Sequence, residues 1–329
     1  MAMTHSSASP VNLYRHLDAL PEDFQGGLLA IGNFDGVHLG HQAVIKAARA
    51  KADALGCPLG VMLFDPHPRQ FFAPDAPSFR LTRLATRARL MSDIGVDFIL
   101  ALPFDAAMAA CAAEDFIEQI LCAKLGVRGV AIGHDFRFGK DRRGDVSMLQ
   151  EFGAQQGFAV VMTEALMRPD RDTPYSSSAI RAALQEADLP SAAAMLGHSW
   201  SIEGTVAQGD QRGRTIGFAT ANIELEDYLH PKFGVYAVRA RILDGPLAGQ
   251  DYDGVANLGL RPTVGTEAPR LETHLFDFED DIYGCWMSVT LLDFIRPEQK
   301  FDGLEALTQQ IAKDSARARE VLAAMPADC

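Results

Sequence analysis

Residues 30–42 read AIGNFDGVHLGHQ. An apolar run enters a glycine-rich turn, and two histidines stand three residues apart where a helical pattern begins. The chain continues HQAVIKAARAKADAL, with Val44, Ile45, Ala48 and Leu55 on one stripe of helical period. The stretch therefore reads as strand, glycine turn, helix. Gly32, Gly36 and Gly40 let main chain approach a bound group, and a helix N-terminus attracts anions through its free N–H groups and its dipole. His38 and His41, at i and i+3, project from one side of the first turn. Two imidazole donors placed there suit a polyphosphate, above all charge developing on phosphorus.

The same texture extends on both sides. GLLAIGNF, PLGVMLFD, VDFILALPF, VRGVAIGHDF and GFAVVMTEAL read as strands; TRLATRARLMSDIG and AEDFIEQILCAKLG between them read as helices. Alternation of this kind predicts right-handed crossovers and a mostly parallel sheet covered on both faces. Ligands of such sheets sit beyond the carboxyl ends of the strands, where the Gly- and Asp-rich segments fall. Near residue 185 the texture changes. From SWSIEGTVAQGD onward, GVYAVRARIL, YDGVANLGL, LETHLFDF and WMSVTLLDFI are short β-rich runs between Gly, Pro and Asp turns, the pattern of a small antiparallel barrel. AALQEADLPSAAAMLGHS is expected to be helical and to bridge the two textures. A last helix is expected to start after Pro297, with Phe301, Leu304, Leu307, Ile311, Ala318, Val321 and Leu322 forming a stripe against the barrel. The expected domains are 13–185 and 186–329.

The chain has 329 residues, 48% of them hydrophobic, and a formal net charge of −13. That length allows two cores of ordinary size. The acidic balance argues against a protein that binds nucleic acid by neutralising phosphates. The 5 cysteines form no Cys-x-x-Cys pair, which argues against a zinc knuckle or disulfide framework and for a reducing cytoplasm. No signal-peptide pattern and no run of membrane-spanning length is read, so no membrane partner is expected.

GNFDGVHLGH resembles the HxGH signature of nucleotidyltransferases, in the form found in bacterial FAD synthetases. FDPHPRQFF (64–72), VAIGHDFRFGKDRRGD (130–145) and YSSSAIR (175–181) resemble that family's following segments in order, with Ser178 where Thr is usual. GTVAQGDQRGRTIGFATANI (204–223) is similar to the riboflavin kinase signature, with Ala219 at the usual proline position. PKFGVYAV, GVANLGLRPTVG and LETHLFDFEDDIYG resemble the same kinase family. Both motif sets occur in the order of the bacterial bifunctional riboflavin kinase/FMN adenylyltransferase family, over about residues 13–325.

The resemblance implies an N-terminal Rossmann-like nucleotidyltransferase domain and a C-terminal riboflavin-kinase-like antiparallel β-barrel with a terminal helix. It implies phosphorylation of riboflavin to FMN by the barrel and adenylylation of FMN to FAD by the first domain. ATP is the co-substrate, Mg²⁺ the cofactor, and FMN and FAD the products; no obligate protein partner is evident in the sequence. For adenylyl transfer it implies His38 and His41 as catalytic, and Asn33, Phe34, Asp35, Gly36, Asp65, His67, Asp135, Phe136, Ser177, Ser178 and Arg181 as ATP- or flavin-binding. For the kinase it implies Glu272 as base to the ribityl hydroxyl. Gly209, Arg212, Gly213, Arg214, Gly217, Phe218, Asn257 and Arg261 would then bind ATP or flavin, and Thr220 and Asn222 the metal.

The residues support the same division. FMN's phosphate is already an anion, so adenylyl transfer asks for alignment and neutralisation rather than a base. A neutral alcohol benefits from a nearby carboxylate, and Glu272 shares a strand face with His274. Thr220 and Asn222 alternate onto one face and offer hard oxygens to Mg²⁺. His274 reads as a packing neighbour, Arg296 as either a flavin contact or a partner of carboxylates, and EDD (279–281) as a solvated turn.

Other readings fit less of the chain. GHDFRFGKD has one residue too many for a Walker loop and Asp141 in place of its hydroxyl. A class I aminoacyl-tRNA synthetase would need a Lys-Met-Ser-Lys-Ser-like loop. Transfer to another phosphorylated acceptor, such as phosphopantetheine, leaves the barrel unexplained. A chain with one active domain, or a flavin-binding module without turnover, leaves one or both motif sets idle.

Overall fold

The structure, a computed structural model, describes residues 11–169, 171–208, 218–263 and 266–325, without the side chains of 171, 172 and 261–268. The chain divides into two compact units. The first holds the residues up to Ala76 and Leu84–Ser176; the second holds Pro77–Arg83 and the chain from Ser177 onward.

In the first unit β1 (Asn12–Tyr14), β2 (Leu28–Ile31), β3 (Leu59–Phe64), β4 (Phe98–Leu102), β5 (Gly129–Gly133) and β6 (Ala159–Thr163) form one sheet, ordered β1-β4-β3-β2-β5-β6 and parallel throughout. Strand residues alternate between two cores. Leu28, Ala30, Val61, Leu63, Ile99 and Ala101 join α1 (Leu39–Leu55) on one face. Leu29, Ile31, Met62, Phe98, Leu100, Val130 and Ile132 meet Phe116, Ile117, Leu121 and Leu149 on the other. A strand buried on both faces must be apolar at every position, and β2, LLAI, is buried at every position. Between the strands run α2 (Pro68–Phe72), α3 (Leu84–Asp93), α4 (Ala106–Ala110), α5 (Ala113–Asp115, continued by wider π turns over Phe116–Lys124) and α6 (Val146–Gln156). The edge strand β1 has no sequence reading behind it; three residues carry too little pattern. After β6, β7 (Met167–Arg168) and β8 (Arg171–Pro174) make a small antiparallel pair.

The second unit opens with two helices, α7 (Ser177–Gln185) and α8 (Leu189–Leu196). The expected single helical stretch breaks between them, where Asp188 caps α8 by accepting from the backbone N–H of Ser191 at 3.1 Å and Pro190 occupies the first turn. Then β9 (Ser201–Thr205), β10 (Ala221–Glu224), β11 (Gly234–Ile242), β12 (Asp251–Thr263), β13 (Thr266–Leu275) and β14 (Trp286–Pro297) form an antiparallel sheet in the order β10-β13-β12-β11-β14-β9. Ala207, just past β9, bridges Asn222 of β10 with a 2.8 Å backbone bond, which brings the two edges together into a near-closed barrel.

The terminal helix α9 (Leu304–Ala323) lays Ala318, Val321 and Leu322 on Val235, Ala237 and Val255. It begins later than expected. Pro297 instead closes β14, opposite Gly234, and Gly303 caps the helix. A proline at a strand's end gives up no interior ladder bond, so that position tolerates it.

Candidate active sites

In the first unit the chain leaves β2 for β3 and β4 on one side and later returns to β5 on the other. The sheet changes direction between β2 and β5, so the loops after β2, β3 and β5 share the carboxyl edge at that point. These loops carry Asn33–His38, Asp65 and Asp135.

The loop after β2 is tightly wound. Phe34, Gly36 and Val37 all have positive φ, at 50°, 86° and 43°. Phe34 and Val37 are buried and so hold the turn from within, and Asp35 is 3% exposed. His38 is the N-cap of α1 rather than a first-turn residue: its Nδ1 accepts from the backbone N–H of His41 at 3.3 Å. A nitrogen that accepts carries no proton, so the ring proton of the neutral form lies on Nε2. The His38 and His41 rings stack with centroids 3.6 Å apart, and Phe34 meets His41 edge-on at 5.2 Å. Gly40 leaves room for it, since a Cβ there would lie 3.1 Å from the His38 ring, a tight contact from which the ring would have to give slightly.

Asp65 pairs with Arg15 at 3.2 Å. His67 caps α2, its Nδ1 accepting from the Arg69 backbone at 3.0 Å. Asp135 is exposed after β5, and Phe136 stacks on Phe138 at 5.6 Å. Ser177, Ser178 and Arg181 lie on α7, within the second unit, where Arg181 Nε donates to the Phe79 carbonyl at 2.8 Å. Arg87 was not anticipated. It is 2% exposed on α3, and its guanidinium donates to the Asn33 carbonyl at 2.9 Å. Its signal was a charge on the buried stripe of α3, with Leu84 at i−3 and Met91 at i+4.

In the second unit, antiparallel register places Asn222 of β10 opposite Glu272 of β13, and Glu272 opposite Asn257 of β12. Directly opposed side chains share a face, so the carboxylate has an amide on either side. His274 follows on that face, with Nδ1 2.8 Å from the Ala219 carbonyl and Phe218 edge-on at 5.3 Å. Asn222 is 3% exposed, and its Nδ2 donates to the Thr220 carbonyl at 3.2 Å. Its amide oxygen is then the end left for a ligand. Among the described residues no group of three His, Cys, Asp or Glu side chains gathers as a metal site. A hard cation here would take neutral oxygens from Thr220 and Asn222 and complete its shell with water and phosphate, a donor set that fits Mg²⁺. Gly209, Arg212, Gly213, Arg214 and Gly217 lie outside the described residues, as does the Arg261 side chain. Arg296 is taken by a carboxylate: its Nε and Nη2 bind Asp314 of α9 at 2.7–3.1 Å.

A parallel sheet with polar loops gathered at its point of reversal is the form of nucleotide-handling α/β proteins, and the barrel carries a separate polar face around one carboxylate. The chain thus has the build of a two-centre transferase. Comparison makes this specific. Residues 20–179 match the family model of FAD synthetase, and residues 196–322 that of riboflavin kinase. The chain is 42% identical to the bifunctional riboflavin kinase/FMN adenylyltransferase of Escherichia coli (strain K12) over 296 residues, 90% of this chain and 93% of that one. It is 37% identical to the protein of the same description from Bacillus subtilis (strain 168) over 305 residues, 91% and 93% of the two chains. The chain belongs to the bifunctional riboflavin kinase/FMN adenylyltransferase family. A crystal structure of a Streptococcus pneumoniae protein described as a macrolide-efflux protein is also similar, with a TM-score of 0.80 and 28% identity across 97% of this chain and 100% of that one. Among the described residues here no helix is long and apolar enough to cross a membrane.

Proposed function

We propose that this chain carries out two successive ATP-dependent steps, riboflavin to FMN and FMN to FAD, with the residues of 186–329 serving the first and those of 13–185 the second. The observation that carries the reading is the register-locked row Asn222–Glu272–Asn257, a carboxylate set between amides on a barrel that shares its chain with the His38–His41 pair.

In the kinase step Glu272 accepts the proton of the flavin's primary hydroxyl as its oxygen attacks the γ-phosphorus of ATP, and ADP leaves. Thr220 and Asn222 would hold Mg²⁺, which would screen the charge of the phosphates. In the second step an FMN phosphate oxygen attacks the α-phosphorus of another ATP, and pyrophosphate departs. No base is required. His38, with its proton on Nε2, and His41 donate to the phosphate chain at the mouth of α1, whose N–H groups add to the same field. Arg87 holds the turn through Asn33. Asp65, His67, Asp135 and Phe136 are assigned to nucleotide or flavin binding, and Ser177, Ser178 and Arg181 to the triphosphate, on their motifs. Of the cysteines, Cys57, Cys111, Cys122 and Cys285 are free thiols, in keeping with a cytoplasmic enzyme whose partners are riboflavin, FMN and ATP.

Incubation with riboflavin, ATP and Mg²⁺, followed by chromatographic separation of the flavins, tests the whole scheme. FMN should appear and give way to FAD. Glu272→Gln should stop FMN formation and leave FMN-to-FAD conversion near wild type; His41→Ala should do the reverse. Loss of both steps from either change in a folded protein would refute separate centres.

A further inference from the structure

We propose that His274 is a positioning residue of the kinase step, clamping the backbone just ahead of β10 so that Thr220 and Asn222 are fixed before nucleotide arrives. The inference rests on the reading of Thr220 and Asn222 as ligands of the nucleotide's metal.

Residues 218–220 precede β10 and lie outside its ladder, which begins with Ala221 opposite Thr273. Side-chain bonds add to what holds them. His274 supplies one. A carbonyl oxygen only accepts, so Nδ1 at 2.8 Å from the Ala219 oxygen carries the proton and donates. The same ring receives the edge of Phe218 at 5.3 Å. The next carbonyl, of Thr220, is held by Asn222 Nδ2 at 3.2 Å. Two consecutive carbonyls are thus tied down, one from β13 and one from β10, and Thr220 sits between the ties.

The residue at 219 makes this contact matter. A proline there would restrict φ covalently, whereas alanine leaves the segment its ordinary freedom. The hydrogen bond from His274 supplies the restriction by another route. Glu272 lies two residues earlier on the same face of β13. One strand therefore both presents the carboxylate and sets the segment that meets the nucleotide, which keeps the hydroxyl's base and the metal's ligands in a common frame.

Three variants of the full chain test this. His274→Phe keeps a ring for Phe218 and removes the donor. His274→Asn restores one, because its amide nitrogen is as many bonds from Cβ as Nδ1. Thr220→Ala tests the underlying reading. The first measurement is amide hydrogen exchange of residues 218–222 in the ligand-free protein; the second is KM for ATP and kcat in riboflavin phosphorylation. Riboflavin binding without nucleotide checks that the barrel is intact. His274→Phe should raise exchange and KM for ATP by about tenfold, the scale of one hydrogen bond, with kcat nearly unchanged. His274→Asn should recover most of both. Unchanged exchange in His274→Phe, equal impairment of the Asn and Phe variants, or a fall in kcat at constant KM would each overturn the clamp. Thr220→Ala without effect on KM would overturn the ligand reading instead, and exchange would still judge the clamp.

Discussion

At Gly40 a single hydrogen atom decides the shape of the first site. The His38 ring is confined by the stacked His41 ring at 3.6 Å, and a Cβ at residue 40 would come within 3.1 Å of it. Gly40 is the second residue of α1, in its first turn, where alanine is favoured by no more than the helix-interior figure of roughly 0.8–1.0 kcal/mol. Gly40→Ala should therefore leave the unfolding temperature unchanged or slightly higher, yet slow FMN adenylylation by about tenfold to a hundredfold through a displaced imidazole. Riboflavin phosphorylation should not change. A variant with normal FAD formation would show that the stacked geometry is not what the step uses. The sequence displayed both histidines and the glycine between them. It did not show that His38 caps the helix, because a cap is defined by the backbone conformation of the loop before it.

For the elements, the attachment of α9 is the clearest energetic question. Its apolar contact with β11 and β12 is modest, and Arg296 and Asp314 reinforce it with a bidentate pair in which the carboxylate is 4% exposed. Removing one member of such a pair leaves the other desolvated without its partner. Asp314→Ala should accordingly destabilise the second unit by about 3 kcal/mol. Denaturant unfolding followed by tryptophan fluorescence reports on this unit, since Trp200 and Trp286 both lie in it. A loss no greater than that of an exposed ion pair, under about 1 kcal/mol, would mean that α9 is held by its apolar stripe alone. The sequence left Arg296 open between flavin and carboxylate, and it set the helix start at Pro297. Both were beyond local pattern: a salt bridge across 18 positions and the end of a strand depend on what the opposing element presents.

Across the whole molecule, the chain's path departs from a simple succession of two domains. Residues 77–83 interrupt the first unit and pack in the second. There Leu81 is fully buried and its carbonyl accepts from Trp200 Nε1 at 2.8 Å. Arg80 and Arg83 pair with Asp227, and Arg80 bridges to Tyr228. A fragment consisting of 186–329 would lack this segment and α7. With Phe79 and Leu81 absent it forgoes on the order of 3–6 kcal/mol of apolar burial. Its melting temperature should fall about 10–20 °C below that of the same unit in the intact chain. An equally stable fragment would show that the segment is only lodged there.

The sequence by itself determined the elements and their chemistry. Helical and strand periods, glycine turns and two ordered motif sets are local, and their physical basis is the burial of one stripe or one face at a time. They sufficed for the α/β and barrel classes, and they singled out His38, His41, Glu272, Thr220 and Asn222 as the residues to test. Only the tertiary structure decided which residues are neighbours across distance. It made β1 an edge of the first sheet, put Arg87 under Asn33, aligned Asn222, Glu272 and Asn257 in one row, set His274 on Ala219, and carried residues 77–83 into the second unit. Each of these depends on strand order, register or the pairing of buried polar groups. Those are fixed when surfaces far apart in the chain exclude water together, and no short window of residues carries that information.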